Sequence, residues 1–464
     1  MEILKFIAFA VVPLSIVILA VMALFFSESS ESLNNKRLER DELPELLKVP
    51  SEQSSFLGWE MELNTPIYFP DKVRSRHVHI MGATGSGKTE SVLLNLIGQD
   101  IERGIPVVII DAKGDNAFLE FLKDKLGHSS KLKLFDSSDS RKSLPYNPLK
   151  SGTSTEAVLR LFNSMTWSEE FYKTRARDTL LKLAAHWSNE KQKISLAWLN
   201  EMLSSPESLT QAIKNESTPS RGISMAEFTQ LAGLFSQVQQ LCHGELGSLI
   251  SNDVNESSID LKSDIEHACV VYFKLPALID PTTTATVGKL IIADLAFYAA
   301  KIQTSGRMAP FCPVFIDEFG SLACHSFLEL IAKARSAGLA LHFSHQSLGD
   351  LQAASTTFAT QINDNSSTKI VMRIYDPDTA DIMARTFGNK ETKKETRQVM
   401  TNAIGGNEET GAMSVREVKE FRADPDLIKS LPTGCAFVLM NHAFRVDGKS
   451  SDVFRLRFPA LGSH

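Results

Sequence analysis

The 464-residue chain holds only five cysteines, Cys242, Cys269, Cys312, Cys324 and Cys435, with no C-x-x-C spacing among them. An odd, scattered set excludes a disulfide-built scaffold and a thiolate zinc site, and it suits a reducing compartment. Surplus positive charge is missing as well. Lys and Arg number 49 against 55 Asp and Glu, a formal net charge of −6, so contact with nucleic acid would have to come from local patches. Internal repeats and low-complexity tails are also absent, which excludes solenoids and compositionally disordered arrays. What is there is an ordinary globular composition, 43% hydrophobic and 22% charged, long enough for about two folded units.

Charge is missing most completely from Phe6 to Phe26, "FIAFAVVPLSIVILAVMALFF". As a helix these 21 residues would span ~31 Å, against a bilayer core of ~30 Å. A cleaved signal peptide is the competing reading. The run is too long for that, Lys5 makes a poor basic lead, and no A-x-A cleavage site follows. Pro13 is tolerable in a membrane span. Lys36, Arg37 and Arg40 follow closely, which by the positive-inside rule keeps the bulk of the chain cytoplasmic. Residues 1–27 are therefore expected to be a single transmembrane anchor, and 28–57 a polar juxtamembrane linker.

From Gly58 the pattern changes. "PIYF" and "HVHIM" read as strands, "KTESVLLNLIGQDIER" as a helix, and "IPVVIID" as a buried parallel strand. "NAFLEFLKDKL" then reads as helix and "KLKLFD" as strand, so residues 58–150 predict a β-α-β-α-β succession on a parallel sheet. Over 151–261 the spacing is helical throughout, as in "TEAVLRLFNSMTW", "ARDTLLKLAAHWSN", "LAWLNEML" and "MAEFTQLAGLFSQVQQLC", with "SSPESLT" and "NESTPSRG" as joints. Sheet signals return over 262–464 in "ACVVYFKL", "PVFIDEF", "LALHFSH" and "TKIVMRI". They end in "GCAFVLM" and "VFRLRF", which resemble an antiparallel hairpin. The expected fold is α/β with an all-α insertion.

The chemistry starts at "HVHIMGATGSGKTES". Gly82, Ala83, Thr84, Gly85, Ser86, Gly87, Lys88 and Thr89 match G-x-x-x-x-G-K-[ST] at every fixed place. Glycines let successive N–H groups turn inward on phosphate oxygens. Lys88 would reach the β- and γ-phosphates, and the Thr89 hydroxyl a Mg²⁺. The helix that follows, with Glu90 in its first turn, offers a positive N-terminal end, so Gly82 to Glu90 form the expected ATP site. "CPVFIDEFGSL" delivers Asp317 and Glu318 at a strand's C-terminal end, where open α/β sheets hold their ligands. Asp317 would serve Mg²⁺, and Glu318 would activate the attacking water. A solvated acidic strand end is the bland alternative, which the upstream phosphate loop outweighs.

In "KARSAGLALHFSHQSLGDL" a helix ends at Arg335 and Gly338, and Gln346 lies just past the next strand. Gln346 would sense the γ-phosphate. Arg335 reads equally as a finger offered to a neighbouring subunit or as a cation favouring its own helix dipole. "DAKGD" at Asp111–Asp115 lies near the nucleotide without a defined role, a surface turn being the alternative. His77 and His79 are expected to alternate on one strand, and these, His342, His345 and the Cys242–His243 pair are read as packing residues rather than metal ligands.

Taken in order, "RHVHIMGATGSGKTES", "VVIIDAKGD", "YNPL", "PVFIDEFGSL", "ARSAGL" followed by "HQS", and "LPTGCAFVLM" resemble the type IV secretion coupling proteins of TraG/TraD type, within the FtsK- and HerA-like motors. The resemblance spans roughly 58–458. It implies a RecA-like ATPase domain interrupted by an all-α domain, with ATP and Mg²⁺ as cofactors and six copies in a ring at the bacterial inner membrane. Single-stranded DNA with its relaxase would be delivered to a secretion channel. By matching motif it gives Arg335 the finger position, Gln346 the coupling glutamine, and Lys88, Thr89, Asp317 and Glu318 the nucleotide, metal and hydrolytic places. Where relatives often carry two spans and a long tail, this chain shows one span and little after its last strand signal. Two other readings stay open: a chromosome-type or protein-moving translocase, and a membrane receptor or scaffold stabilised by nucleotide.

Overall fold

The computed structural model describes residues 51–460 apart from 63, 128, 188–193, 214–221, 252–257, 278–279, 402–406 and 442–450. The expected anchor at Phe6–Phe26 lies outside the described residues, and among these no helix is long and apolar enough to cross a membrane.

The strands are β1 (Ser54–Glu60), β2 (Pro66–Pro70), β3 (Val78–Met81), β4 (Val107–Asp111), β5 (Leu132–Asp136), β6 (Val270–Lys274) and β7 (Cys312–Asp317). They continue as β8 (Leu339–His345), β9 (Thr368–Val371), β10 (Asn389–Thr401), β11 (Asn407–Phe421), β12 (Cys435–Asn441) and β13 (Ser451–Arg457). Every residue of β3, β4 and β6 to β9 is buried, which an apolar run achieves only when both faces of the sheet are covered. Eleven strands form one sheet in the order β2-β1-β13-β12-β9-β3-β8-β7-β4-β6-β5. Its middle, from β9 to β5, is parallel. At one side β12, β13, β1 and β2 continue it antiparallel. The closing hairpin expected from "GCAFVLM" and "VFRLRF" is the β12–β13 pair.

Among the described residues no strand interrupts the stretch from β5 to β6, which is helical. Its helices share one apolar core with the sheet: Leu161, Leu180, Leu199 and Val238 belong to the same cluster as Val108 of β4 and Val314 of β7. The "YNPL" turn fastens this segment down. The buried Tyr146 hydroxyl donates to Asp294 at 2.8 Å, and the Arg160 Nε donates to the Pro148 carbonyl at 3.1 Å.

Several elements differ from the sequence reading. β1 begins at Ser54, inside the stretch expected as linker, because Ser54, Ser55 and Phe56 pair with Pro70, Phe69 and Tyr68 of β2, while only its end, Trp59 and Glu60, meets β13 from the far end of the chain. "SSPESLT" is no joint, since Pro206 opens a helix over Pro206–Ile213, as proline can at a first turn. "MAEFTQLAGLFSQVQQLC" is two helices, Met225–Thr229 and Ala232–Cys242. The longest described helix, Pro281–Ser305, went unread because buried residues run round it instead of along one stripe. The β10–β11 hairpin also went unread, its charged sequence giving no apolar alternation. His77 is not on β3: it precedes the strand at φ 70°, so it does not share a strand face with His79. The packing reading of both histidines holds, since His77 is 4% and His79 0% exposed.

Candidate nucleotide site

The C-terminal ends of β3, β7 and β8 meet at one place because these strands are parallel neighbours. After β3 the chain turns sharply through Gly82–Gly87. Gly87 sits at φ 101°, a left-handed conformation costly for any side chain, and a Cβ there would come within 2.9 Å of the Ser91 Oγ. A Cβ on Gly82 would lie 2.6 Å from the Ser86 Oγ and 2.9 Å from the Met372 Cβ. The loop is a cradle that two side chains would fill. The helix leaving it opens with a π-helical turn, Lys88–Leu93, before Leu94–Glu102 runs as regular α-helix. Such turns recur at functional sites. Thr84, Gly85 and Glu90 are exposed while Ser86 and Lys88 are buried.

The Lys88 ammonium donates to the Gly82 carbonyl at 2.5 Å and to the Ala83 carbonyl at 3.4 Å, folded over the loop. Burial lowers its pKa, and the nearby Glu318, Asp317 and Asp350 carboxylates work against that. The Thr89 hydroxyl donates to Asp317 Oδ2 at 2.7 Å. On its other oxygen Asp317 accepts from the Ser344 hydroxyl. Glu318 follows in the left-handed region at φ 55° and ψ 44°, a conformation unusual for a non-glycine residue and typical of sites where strain is retained. Gln346 Nε2 donates to Glu318 Oε1 at 2.9 Å.

Two further carboxylates complete the site, and their roles went unread. Asp111 pairs with Asp317 across β4 and β7. It accepts from the N–H groups of Lys113, Gly114 and Asp115 and from the Tyr272 hydroxyl, so "DAKGD" wraps a buried acid rather than forming a bare surface turn. Burial raises its pKa, and the Asp317 charge adds to this. Asp350 Oδ2 accepts from the N–H of Gln346 at 2.8 Å and of Ser347 at 3.1 Å, and so fixes the backbone that presents Gln346. Burial works to raise its pKa, but the His345 ring and these N–H donors outweigh it and hold it below the usual carboxylate range. The S-x-x-D spacing from Ser347 to Asp350 was the available signal. For Ser344, buried mid-strand in type, none existed.

Arg335 is not brought to this place. It follows the helix His325–Ala334 and precedes β8, at the N-terminal edge of the sheet, whereas Gln346 lies past β8 at the C-terminal edge. The seven residues of β8 put roughly 23 Å between those edges. Arg335 is exposed there.

Residues 64–233 match the model of the type IV secretion-system coupling protein DNA-binding domain, and 312–433 that of the TraM recognition site of TraD and TraG. The type 4 coupling protein DotL of Legionella pneumophila is 22% identical over 427 residues, covering 76% of this chain and 54% of DotL. The chain thus spans about half the length of that curated relative. Among solved structures, the bacterial conjugative coupling protein TrwB superposes with a TM-score of 0.67 at 17% identity, over 90% of this chain and 91% of TrwB. TrwB in complex with ADP and Mg²⁺ gives 0.66 at the same identity, over 90% and 92%. VirB4 of Thermoanaerobacter pseudethanolicus gives 0.57 at 13%, over 89% and 98%. These structures establish a shared α/β fold. The two models, matched in chain order on a fold shared with TrwB, support a likeness to the coupling proteins of type IV secretion systems over residues 64–233 and 312–433.

Proposed function

We propose that the chain is the ATPase of a type IV secretion apparatus, anchored in the bacterial inner membrane by Phe6–Phe26. It would hydrolyse ATP at subunit interfaces of a ring, taken as a hexamer by family resemblance, to move single-stranded DNA and its relaxase into the channel. The observation that carries the reading is the 2.7 Å bond from the Thr89 hydroxyl to Asp317, which joins the phosphate loop to the acidic strand end 228 residues later. The donor set fits a magnesium-bound triphosphate. Thr89 and Asp317 present hard oxygens at one point, and the two glycines leave the room.

In this mechanism the Gly82–Thr89 backbone binds the phosphates, with Lys88 exchanging its two carbonyl contacts for phosphate oxygens. Thr89 and Asp317 would hold Mg²⁺, Ser344 orienting the carboxylate. The ion, when bound, neutralises charge on the phosphate oxygens. Glu318 takes a proton from the attacking water at a carboxylate oxygen, while Gln346, fixed by Asp350, holds the other oxygen. A solvated strand end or a scaffold role would give no reason to keep Glu318 in a left-handed conformation. Arg335, far from its own chain's site, is open to a neighbour's, and the family motif it matches favours the finger reading over service to its own helix dipole. Movement of nucleic acid would rest on salt-sensitive phosphate contacts. DotL and TrwB support a coupling role by name, and the matched DNA-binding model supports nucleic acid as cargo.

The test is phosphate release by the chain with and without single-stranded DNA. Stimulated turnover that Lys88→Ala abolishes is expected. Turnover absent under all conditions, with nucleotide still bound, would leave the scaffold reading in its place.

A further inference from the structure

The flank of the phosphate loop opposite Asp317 and Glu318 is also built. β9 lies on one side of β3, and β8 and then β7 on the other. Past β9 the chain follows the loop closely: the Ala83 N–H donates to the Arg373 carbonyl at 2.7 Å. A second segment closes the same flank, where Gly434 N–H donates to the Ser86 carbonyl at 3.0 Å and the Thr433 hydroxyl to the Gly85 carbonyl at 3.2 Å. Arg373 ties the two segments together through a 3.4 Å bond from its guanidinium to the Leu431 carbonyl.

Tyr375 stands beside this clamp. Its side chain is 65% exposed, and the Arg373 guanidinium lies 5.5 Å from its ring centroid. The backbone beneath it is held on both sides. Met372 N–H bonds to the Met81 carbonyl at 2.8 Å, and Asp376 caps the helix Pro377–Phe387 by accepting from the Thr379 N–H at 3.0 Å. A single exposed aromatic is ordinary on a protein surface. One that is pinned at a strand end, with a cation along it and a phosphate loop next to it, is a prepared stacking face.

The direction of a bound nucleotide follows from the strand order. Its terminal phosphate belongs toward Asp317 and Glu318, so the nucleoside must leave over β9, where Tyr375 stands. On the nucleotide reading given above, we propose that Tyr375, backed by Arg373, is the platform on which the nucleobase stacks. The site thereby favours a nucleoside triphosphate over a bare polyphosphate. Stacking on an aromatic reads the flat face of a base, so purines of either kind are held better than pyrimidines.

The experiment compares equilibrium binding of a non-hydrolysable ATP analogue and of inorganic tripolyphosphate to the full chain and to its Tyr375→Ala and Tyr375→Phe variants. Tyr375→Ala should weaken the ATP analogue by roughly tenfold or more, leave tripolyphosphate unchanged, and leave the thermal midpoint in place; Tyr375→Phe should restore binding. In turnover the loss should fall on KM rather than kcat. Unchanged analogue affinity in Tyr375→Ala, or equal loss for both probes, overturns the assignment alone. A wild-type chain that binds neither probe overturns the nucleotide reading, and this assignment with it.

Discussion

The two ends of the same strands are built on opposite terms. At the C-terminal end, Thr89 bonds to Asp317, Gln346 bonds to Glu318, and Lys88 folds onto the Gly82 and Ala83 carbonyls, with Thr89, Glu318 and Gln346 exposed or half-buried. At the N-terminal end the polar groups are sealed. Arg74, fully buried, grips Asp100 with two bonds of 2.7 and 2.6 Å, donates to Ser55 at 3.0 Å and to the His342 ring at 3.1 Å. Arg74 and Asp100 are closed on each other, out of reach of any ligand. Charge placed in a closed, satisfied network holds a fold; the same groups left with replaceable partners make a site.

Arg335 tests the contrast most severely, because it is an exposed cation at the sealed end. Arg335→Ala should cost under about 0.5 kcal/mol of stability, as surface changes do, yet lower turnover by ~10³-fold or more if it serves a neighbouring copy. Mixing Arg335→Ala chains with Glu318→Gln chains should then recover activity that neither has alone, measured as phosphate release. No recovery, or an undisturbed Arg335→Ala enzyme, would return the residue to its helix dipole. At the open end, Glu318→Gln should reduce hydrolysis by ~10²- to 10⁴-fold while nucleotide binding and the urea midpoint stay put.

The sealed end should respond in the reverse way. Asp100→Ala leaves the buried Arg74 charge with only the longer 3.5 Å pair to Asp71, a loss of about 3–5 kcal/mol in urea unfolding, whereas Arg74→Met with Asp100→Leu should recover most of it. Acid should act here too. Burial pushes His77 down to about 4, with the Arg335 charge adding to it, and pushes His342 well below its ordinary value, the Arg74 charge adding there. Both are neutral in the fold and take up protons once unfolded. Stability is therefore full above pH 6.5 and lost as pH falls toward 4, with His77 contributing about 3 kcal/mol. Asp294, raised by burial to about 6, runs the other way, since its protonated form is favoured in the fold and its effect grows as pH falls below 6. His77→Asn, which keeps a residue tolerant of positive φ, should flatten the acid slope in thermal midpoints taken from pH 7.5 to 4.5.

The open end was legible in the sequence and much of the sealed end was not, for a physical reason. A phosphate loop draws its geometry from eight consecutive residues, and Asp317, Glu318 and Gln346 announce themselves by lying at the ends of apolar runs. The Arg74–Asp100–His342 network joins positions up to 268 residues apart through burial alone, with no local spacing to betray it. The same holds for Ser344, and for β1, whose pairing with β13 crosses almost the whole described chain. Asp350 falls between, marked by a capping pattern that says helix start and not a hold on the Gln346 backbone. The helix Pro281–Ser305 shows the limit of periodicity, for an element covered on all sides has no stripe to read.

The order β2-β1-β13-β12-β9 also has a consequence for how the chain is made. The first hairpin off the ribosome can reach the rest of the sheet only through β12 and β13, which are synthesised nearly four hundred residues later. Until then β1 and the outer side of β9 both present open edges, which favours delayed closure and makes nascent chains cut short before Cys435 aggregation-prone.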